Sequence, residues 1–133
     1  MPQAKRKLNM KDKPCPFCDF NKLRNESFFV HWEPFPVGIG HVKIMPFRHK
    51  TDIFNLTTEE ATDLADIIKR TKKYLDVAMG EHKPDGYNIG INCGEAAGQT
   101  IAHLHIHVIP RYKGDVENPR GGVRNIKPPL VSW

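Results

Sequence analysis

Three histidines at alternate positions constrain this chain more than any other feature. In His103–His107 histidine alternates with leucine and isoleucine, and Val108 and Ile109 follow. A period of two is typical of a β-strand whose two faces differ. The apolar face fits a hydrophobic core, while the other face would carry three imidazoles along about 13 Å of strand. We predict that the strand ends at Pro110, which has no N–H to donate to a ladder.

A row of imidazoles on one face is hard to explain by packing. A single histidine in a strand is usually a packed or surface residue, but three in register indicate a chemical use. Imidazole can act as a nucleophile, as a proton donor near neutral pH and as a metal ligand. The pattern therefore predicts a functional site with at least one of these chemistries.

Length and charge limit the class of protein. The 133 residues suit one domain with one core, and 39% hydrophobic with 26% charged residues fits a soluble globular protein. No apolar run approaches 18 residues and none follows the basic N-terminus. We therefore expect neither a membrane span nor a secretory signal, and a cytoplasmic location. The net charge of +5 favours anionic partners such as nucleotides.

The domain organisation is simple. Residues 1–13 carry many of the lysines and are expected to form a disordered basic arm, with a single domain over 14–133. Nucleic acid is not an expected partner, because the interleaved surface aromatics of single-strand binders are missing.

A C-x-x-C pair follows the arm. Cys15 and Cys18 would be a zinc knuckle, a redox dithiol or a pair of unliganded thiols. The redox interpretation needs a preceding strand and a helix opening on the motif, and neither is indicated. Three cysteines in all do not make a disulfide framework.

The rest of the chain alternates strand and helix signals. Strands are predicted at 27–32, 39–46 and 86–92, and a helical turn at 52–55. One long helix is predicted from a capping box, with Thr57 as N-cap and Glu60 at N3, to Gly80 as the residue after its C-cap. The small-residue loop 93–99 leads into the histidine strand, and its backbone N–H groups could approach a phosphate.

The chain resembles the histidine triad (HIT) superfamily along most of its length. The segment His103–Ile109 matches the family's alternating motif, and Gly40–Pro46 followed by His49 is similar to its G-H-x-L-V-x-P…H segment. Asn88–Asn92 and Gly98–Thr100 resemble its nucleotide-binding strand and loop. The resemblance implies an α+β fold with an antiparallel sheet of about five strands, one long and one short helix, and a homodimer.

The resemblance also implies an enzyme that hydrolyses or transfers a nucleoside monophosphate from an α-phosphate linkage. Its substrates would be dinucleoside polyphosphates or nucleoside phosphoramidates, with adenine as the family expectation for the base. His105 would attack phosphorus and hold a nucleotidyl intermediate, and His107 would contact the phosphate. A neutral imidazole is a competent nucleophile when its other nitrogen donates to a carbonyl. The remaining substrate-binding residues would be Asn92, Gly98, Gln99 and Thr100.

Two histidines have alternative interpretations. Some bacterial members of the family carry a C-x-x-C and bind zinc through that pair and two histidines. On this interpretation Cys15, Cys18, His49 and His103 would form a closed tetrahedral site for a structural Zn²⁺. Otherwise His49 and His103 would form a hydrogen-bonded pair behind the nucleophile.

The sequence departs from the family after the first strand. Many members place Asp or Asn there against the ribose hydroxyls, whereas His31 and Trp32 occupy that neighbourhood here. Ribose recognition then differs, Trp32 forms a wall of the base pocket, or Trp32 is simply core. We interpret His41 and His82 as structural or surface residues.

Two other functions remain open. A non-catalytic nucleotide- or zinc-binding scaffold would bind AMP without hydrolysing any substrate. A nucleic-acid-binding protein would depend on residues 1–13. The complete triad, together with Gln99 and Thr100, favours the enzyme.

Overall fold

Four strands and one long helix make up most of the regular structure of residues 23–130, the part of the chain that the computed structural model describes. In chain order the elements are β1 (Phe28–Trp32), β2 (Val42–Pro46), α1 (Thr58–Ala78), β3 (Gly86–Ile91) and β4 (Ile106–Arg111). Short 3-10 turns lie between them, including the turn predicted at 52–55, which forms at Ile53–Asn55.

The strands form one antiparallel sheet in the order β1-β2-β4-β3. The register places His107 opposite Lys43 of β2 on one side and opposite Gly90 of β3 on the other. The α+β fold is confirmed. Residues 23–130 contain four of the roughly five strands that the resemblance implied.

Helix α1 begins where the sequence predicted. The N–H of Glu60 donates to Oγ1 of Thr57 at 3.1 Å, and the N–H of Thr57 donates to Oε1 of Glu60 at 2.9 Å, which completes the capping box. After the C-cap Met79, Gly80 adopts φ +59°, the left-handed conformation that glycine allows without strain. Within residues 23–130 no helix has the length and apolar character needed to cross a membrane.

One face of the sheet and one stripe of α1 share the hydrophobic core. Alternate residues of each strand point to this face, as period-two patterning requires. On the opposite face Lys43, His105 and His107 are only half-buried. The core residues are Phe28, Val30, Val42, Ile44, Leu64, Ile67, Leu75, Leu104, Ile106 and Val108.

The histidine strand differs from its prediction at both ends. Strand β4 begins at Ile106, so only His107 of the three histidines lies within it. The predicted end at Pro110 is wrong, because β4 continues to Arg111 with Pro110 opposite Tyr87 of β3. Strand β2 pairs with β4 only from Ile106 to Val108, so the missing N–H of Pro110 costs no bond to β2.

Candidate functional site

His105 is held in the tautomer that a nucleophile needs. Its Nδ1 lies 2.9 Å from the carbonyl oxygen of His103. A carbonyl can only accept, so Nδ1–H is the donor and Nε2 carries the lone pair. The ring is half-buried and stands edge-on to the ring of His107, with centroids 5.2 Å apart. The backbone just before β4 therefore presents an imidazole ready to attack an electrophile.

His107 is placed to act as a neutral hydrogen-bond donor. Burial, and then the neighbouring imidazole of His105, lower the pKa of its imidazole below the usual value. The ring is therefore uncharged near neutral pH, and only one of its nitrogens carries a proton. Which nitrogen this is depends on the residue that contacts it from just before β2.

That neighbour is His41, directly before β2 and only 3% exposed. The backbone N–H of Val37 donates to Nδ1 of His41 at 3.1 Å, so the proton of a neutral His41 must lie on Nε2. Nε2–H in turn donates to Nδ1 of His107 at 2.9 Å. The proton of His107 is thereby assigned to Nε2, where it can meet a phosphate oxygen.

The charge state of His41 agrees with this arrangement. Burial, followed by the neighbouring His107, lowers the pKa of His41 to about 4. His41 is therefore neutral at the pH at which His107 must be neutral. The interpretation of His41 as only a structural or surface residue missed this role.

Glu33 completes the cluster at the end of β1. One of its carboxylate oxygens lies 3.8 Å from Nδ1 of His107, and the other accepts the N–H of Phe35 at 3.2 Å. Ligand atoms of Glu33, His41 and His107 lie within 4.8 Å of one another, as in a metal site. The tautomers argue against a metal here, because Nε2 of His41 carries a proton and points it at His107. Within the cluster His41 and His107 form a hydrogen-bonded pair, and the Glu33 carboxylate lies beside it.

A sequence signal existed for both of the residues that were missed. His41 stands in the Gly40–Pro46 segment, and Glu33 directly follows the His31-Trp32 pair where the family's ribose ligand was sought. Only the pairing of β2 with β4 shows that His41 meets His107.

The loop after β3 gathers the expected phosphate-binding residues. The side chain of Asn92 lies against Gly98, since a methyl group at Gly98 would sit 3.7 Å from its Nδ2. Gly98 has φ +94°, which disfavours any larger residue. Asn92, Gly98 and Thr100 are exposed, so their polar groups are accessible.

Gln99 is committed to the loop itself. Its Oε1 accepts the N–H of Gly94 at 2.8 Å, and its Nε2 donates to the carbonyls of Thr51 at 2.7 Å and Ile101 at 3.1 Å. Both hydrogens of the amide are used in this way. Gln99 therefore fastens the loop to the segment after β2.

The two histidines assigned to zinc lie together. The rings of His49 and His103 meet edge-on with centroids 5.2 Å apart. Nε2–H of His103 donates to the carbonyl of Pro46 at 3.2 Å, which leaves its Nδ1 with a lone pair. Cys15 and Cys18 lie outside the described residues.

Comparison with known proteins identifies the family of this chain. The HIT domain family model matches residues 22–114. An AP-4-A phosphorylase of Mycobacterium tuberculosis is 37% identical over 82 residues, which cover 61% of this chain and 40% of that protein. A bis(5'-adenosyl)-triphosphatase of Dictyostelium discoideum is 43% identical over 84 residues, 62% of this chain and 54% of that protein. The chain thus spans about half or less of these curated relatives.

A solved structure agrees in fold. A Zn-bound histidine triad family protein from Mycobacterium smegmatis superposes with a TM-score of 0.59 at 29% identity. The match covers 85% of this chain and 90% of that protein.

Proposed function

Because the chain belongs to the HIT domain family, we propose that it is a nucleotide hydrolase or nucleotidyl transferase that cleaves an α-phosphate linkage through a nucleotidyl-histidine intermediate. The observation that carries the proposal is the hydrogen bond from Nδ1–H of His105 to the carbonyl of His103. It leaves Nε2 with a lone pair on the open face of the sheet, beside a second imidazole whose proton faces outward.

In the first step Nε2 of His105 attacks the α-phosphorus. The bond from phosphorus to Nε2 forms, and the bond from phosphorus to the leaving group breaks with its electron pair on the leaving oxygen of a polyphosphate. With a phosphoramidate the pair goes to the leaving nitrogen, which takes a proton from solvent. The positive charge that develops on the imidazole is stabilised by the carbonyl of His103, which accepts Nδ1–H. His107 donates Nε2–H to a non-bridging phosphate oxygen and keeps its proton, since it is neutral and has only one.

In the second step an acceptor replaces the imidazole. When water attacks phosphorus, the P–N electron pair returns to Nε2 of His105 and one proton of the water is released to solvent. The product is a nucleoside monophosphate. When another nucleophile attacks instead, the same intermediate gives transfer. His105 and His107 would have the same roles in hydrolysis and in transfer.

The loop 92–100 would hold the phosphates and the ribose. Asn92 and Thr100 are exposed polar residues, and Gly98 has no side chain of its own to keep a phosphate from its backbone. Gln99 would contribute mainly by fixing this loop, because its amide hydrogens already meet two carbonyls. The relatives named as AP-4-A phosphorylase and bis(5'-adenosyl)-triphosphatase support dinucleoside polyphosphates as the substrate class.

The deciding experiment replaces the nucleophile. His105→Ala should abolish turnover of a panel that includes diadenosine polyphosphates and an adenosine phosphoramidate, while AMP affinity changes little. Wild-type protein quenched in acid-free denaturant should carry a nucleotidyl group on His105 in the mass spectrum. Near-normal rates in His105→Ala would refute the covalent mechanism. A wild-type protein that binds AMP and turns over nothing on the panel would be a scaffold instead.

We also propose a structural Zn²⁺ held by Cys15, Cys18, His49 and His103. The described half fits the ion, because two imidazoles lie together and Nδ1 of His103 has a lone pair. A bound Zn²⁺ would supply a closed tetrahedral link, and the Zn-bound relative supports this. Metal analysis of protein purified without chelators tests the site. A content under ~0.2 zinc per chain would contradict a structural Zn²⁺. His49→Ala should lower the content, whereas His82→Ala should not.

A homodimer formed along β3 completes the proposal. Among the strands of residues 23–130, β3 lies at an edge of the sheet, and its Ile89 is 42% exposed. Unpaired strand edges invite pairing with another chain, and a second copy pairing there would cover both features.

A further inference from the structure

A row of four residues crosses the open face of the sheet beside the candidate nucleophile. His31 of β1 lies opposite Lys43 of β2, Lys43 lies opposite His107 of β4, and His107 lies opposite Gly90 of β3. Directly opposed residues in antiparallel strands have Cβ atoms about 4.5–5.5 Å apart. The ammonium of Lys43, on its four-carbon stem, can therefore reach any group bound next to His107 on the β2 side.

Lys43 is a half-buried cation that has no carboxylate partner within residues 23–130. Two other half-buried cations of residues 23–130 have carboxylate partners, Lys50 with Glu60 and Arg111 with Asp115. Within the same part of the chain Lys43 makes no salt bridge and donates no side-chain hydrogen bond. Burial chiefly lowers the pKa of His107, and the charge of Lys43 lowers it further, so this charge lies close to the site. A desolvated cation without a partner has donors available to a ligand.

The surface around Lys43 suits a flat ring. Phe29 and Met45 are opposed in register on the same face, one row beyond His31 and Lys43, and both are half-buried. The ring of Phe29 also contacts Phe47, with centroids 5.0 Å apart, and the guanidinium of Arg24 lies 5.9 Å from the centroid of the Phe47 ring, so this region is aromatic. On the other side of His107 the β3 strand offers Gly90 and leads into the exposed loop 92–100. The phosphates suit that loop, which leaves the β2–β1 side for the base.

We propose that Lys43 is a specificity-determining residue that contacts the purine base and favours a 6-oxopurine such as guanine over adenine. The inference rests on the proposed function. Guanine presents O6 and N7 as two acceptors on one edge, whereas adenine presents a donor amino group beside N7. Lysine has three donors and no acceptor, so it complements the guanine edge. The G-H-x-L-V-x-P segment of the family carries leucine at this position, so Leu is the natural comparison.

The test compares bases in wild-type protein and three variants. Lys43→Leu removes the donor, Lys43→Arg keeps a cationic donor, and Lys69→Leu removes the same charge from an exposed position of α1. The substrates are dinucleoside tetraphosphates with adenine, guanine or hypoxanthine, and hypoxanthine keeps O6 without the 2-amino group. Wild-type kcat/KM should be higher for guanine and hypoxanthine than for adenine. Lys43→Leu should lower the two 6-oxopurine values about tenfold while the adenine value changes little.

The ratio between bases is the readout that a structural role would not move. Lys43→Arg should keep most of the preference, and Lys69→Leu should keep all of it. If Lys43→Leu lowers kcat/KM equally for the three bases, the ammonium contacts a phosphate and not the base, and the proposal is overturned. An unchanged ratio would overturn it as well.

Binding measurements separate this inference from the proposed function. Calorimetric Kd values for GMP, IMP and AMP should show the same Lys43-dependent order without any turnover. Preferred binding of GMP by a protein that turns over nothing would refute the hydrolase and keep the base contact. Turnover of all substrates, with a base preference that does not depend on Lys43, would keep the hydrolase and refute the base contact. A wild-type protein that binds none of the three nucleotides would refute both.

Discussion

Nε2 of His41 lies 2.9 Å from Nδ1 of His107 and joins the start of β2 to the middle of β4. Because the N–H of Val37 donates to Nδ1 of His41, the proton of His41 lies on Nε2. Nε2–H then donates to Nδ1 of His107, so the proton of His107 lies on its Nε2. His41 touches no reacting atom in the proposed mechanism. In that mechanism it is a positioning residue, because its hydrogen bond sets which nitrogen of His107 carries the proton.

Removing the imidazole of His41 should slow turnover, because the proton of His107 would no longer be confined to Nε2. His41→Leu fills the buried space without a donor, and we expect kcat to fall about ten- to a hundredfold, less than the loss of a direct donor. KM should change less, because the phosphate contacts remain. Steady-state kinetics measures both.

His41→Gln supplies a side-chain N–H to the same region and should recover part of the lost rate. His82→Leu, at an exposed position, is the matched histidine replacement and should behave as wild type. Equal kcat in His41→Leu and wild type would show that the tautomer of His107 is fixed by something else.

The parts of this fold that depend on local sequence were predictable. The capping box at Thr57 and Glu60 concerns residues three apart, and the long helix begins there as predicted. The start of β4 was not predictable from alternation. The N–H of Leu104 donates to the carbonyl of Lys50 at 2.6 Å, outside the β-ladder, although the side chains keep alternating. The pattern of neighbouring residues does not show that a carbonyl as distant in sequence as that of Lys50 accepts the N–H of Leu104.

The candidate site divides in the same way. The roles of His105 and His107 follow from one short segment, and their geometry supports the chemistry proposed for them. His41 lies 66 positions from His107, and their contact exists only because β2 is the neighbour of β4 in the sheet. Gln99 was predicted to contact substrate, and its bonds to Thr51 and Ile101 depend on a loop shape that no periodicity indicates.

Gln99→Glu should loosen the loop that leads into the histidines. The carboxylate can still accept the N–H of Gly94, but it loses both donors and faces the carbonyls of Thr51 and Ile101. Amide exchange in residues 94–101 should become about tenfold faster. KM should rise. Hydrogen-exchange mass spectrometry locates the change, and Glu95→Gln in the same loop is the control. Unchanged exchange would show that these bonds do not fasten the loop.

A charge on the exposed edge of the sheet should separate the proposed dimer. Ile89→Lys places an ammonium on β3, where burial against a second copy would desolvate it. Light scattering should give twice the chain mass of 15.2 kDa for wild type and a monomer for the variant. Val77→Lys, at another exposed apolar position on α1, should stay dimeric. A wild-type monomer at micromolar concentration would contradict the dimer directly.

Acid should destabilise the fold through His41. Burial, and then the charge of His107, lower the pKa of His41 from 6.5 to about 4 in the folded protein. Between these values the unfolded chain binds more protons than the folded one, so stability falls as the pH drops from 6.5 to 4. Below about pH 4 His41 is protonated in both states and adds no further change. The contribution is at most about 3 kcal/mol at neutral pH.

The free energy of unfolding in urea, measured at half-unit steps from pH 4 to 7, tests this assignment. His41→Leu should show a shallower loss of stability across the window than wild type. Some slope should remain in the variant, because burial and the charge of His105 lower the pKa of His107 in the same direction. His82→Leu, at an exposed position, should keep the wild-type slope. Parallel curves for wild type and His41→Leu would mean that His41 titrates alike in the folded and unfolded chain.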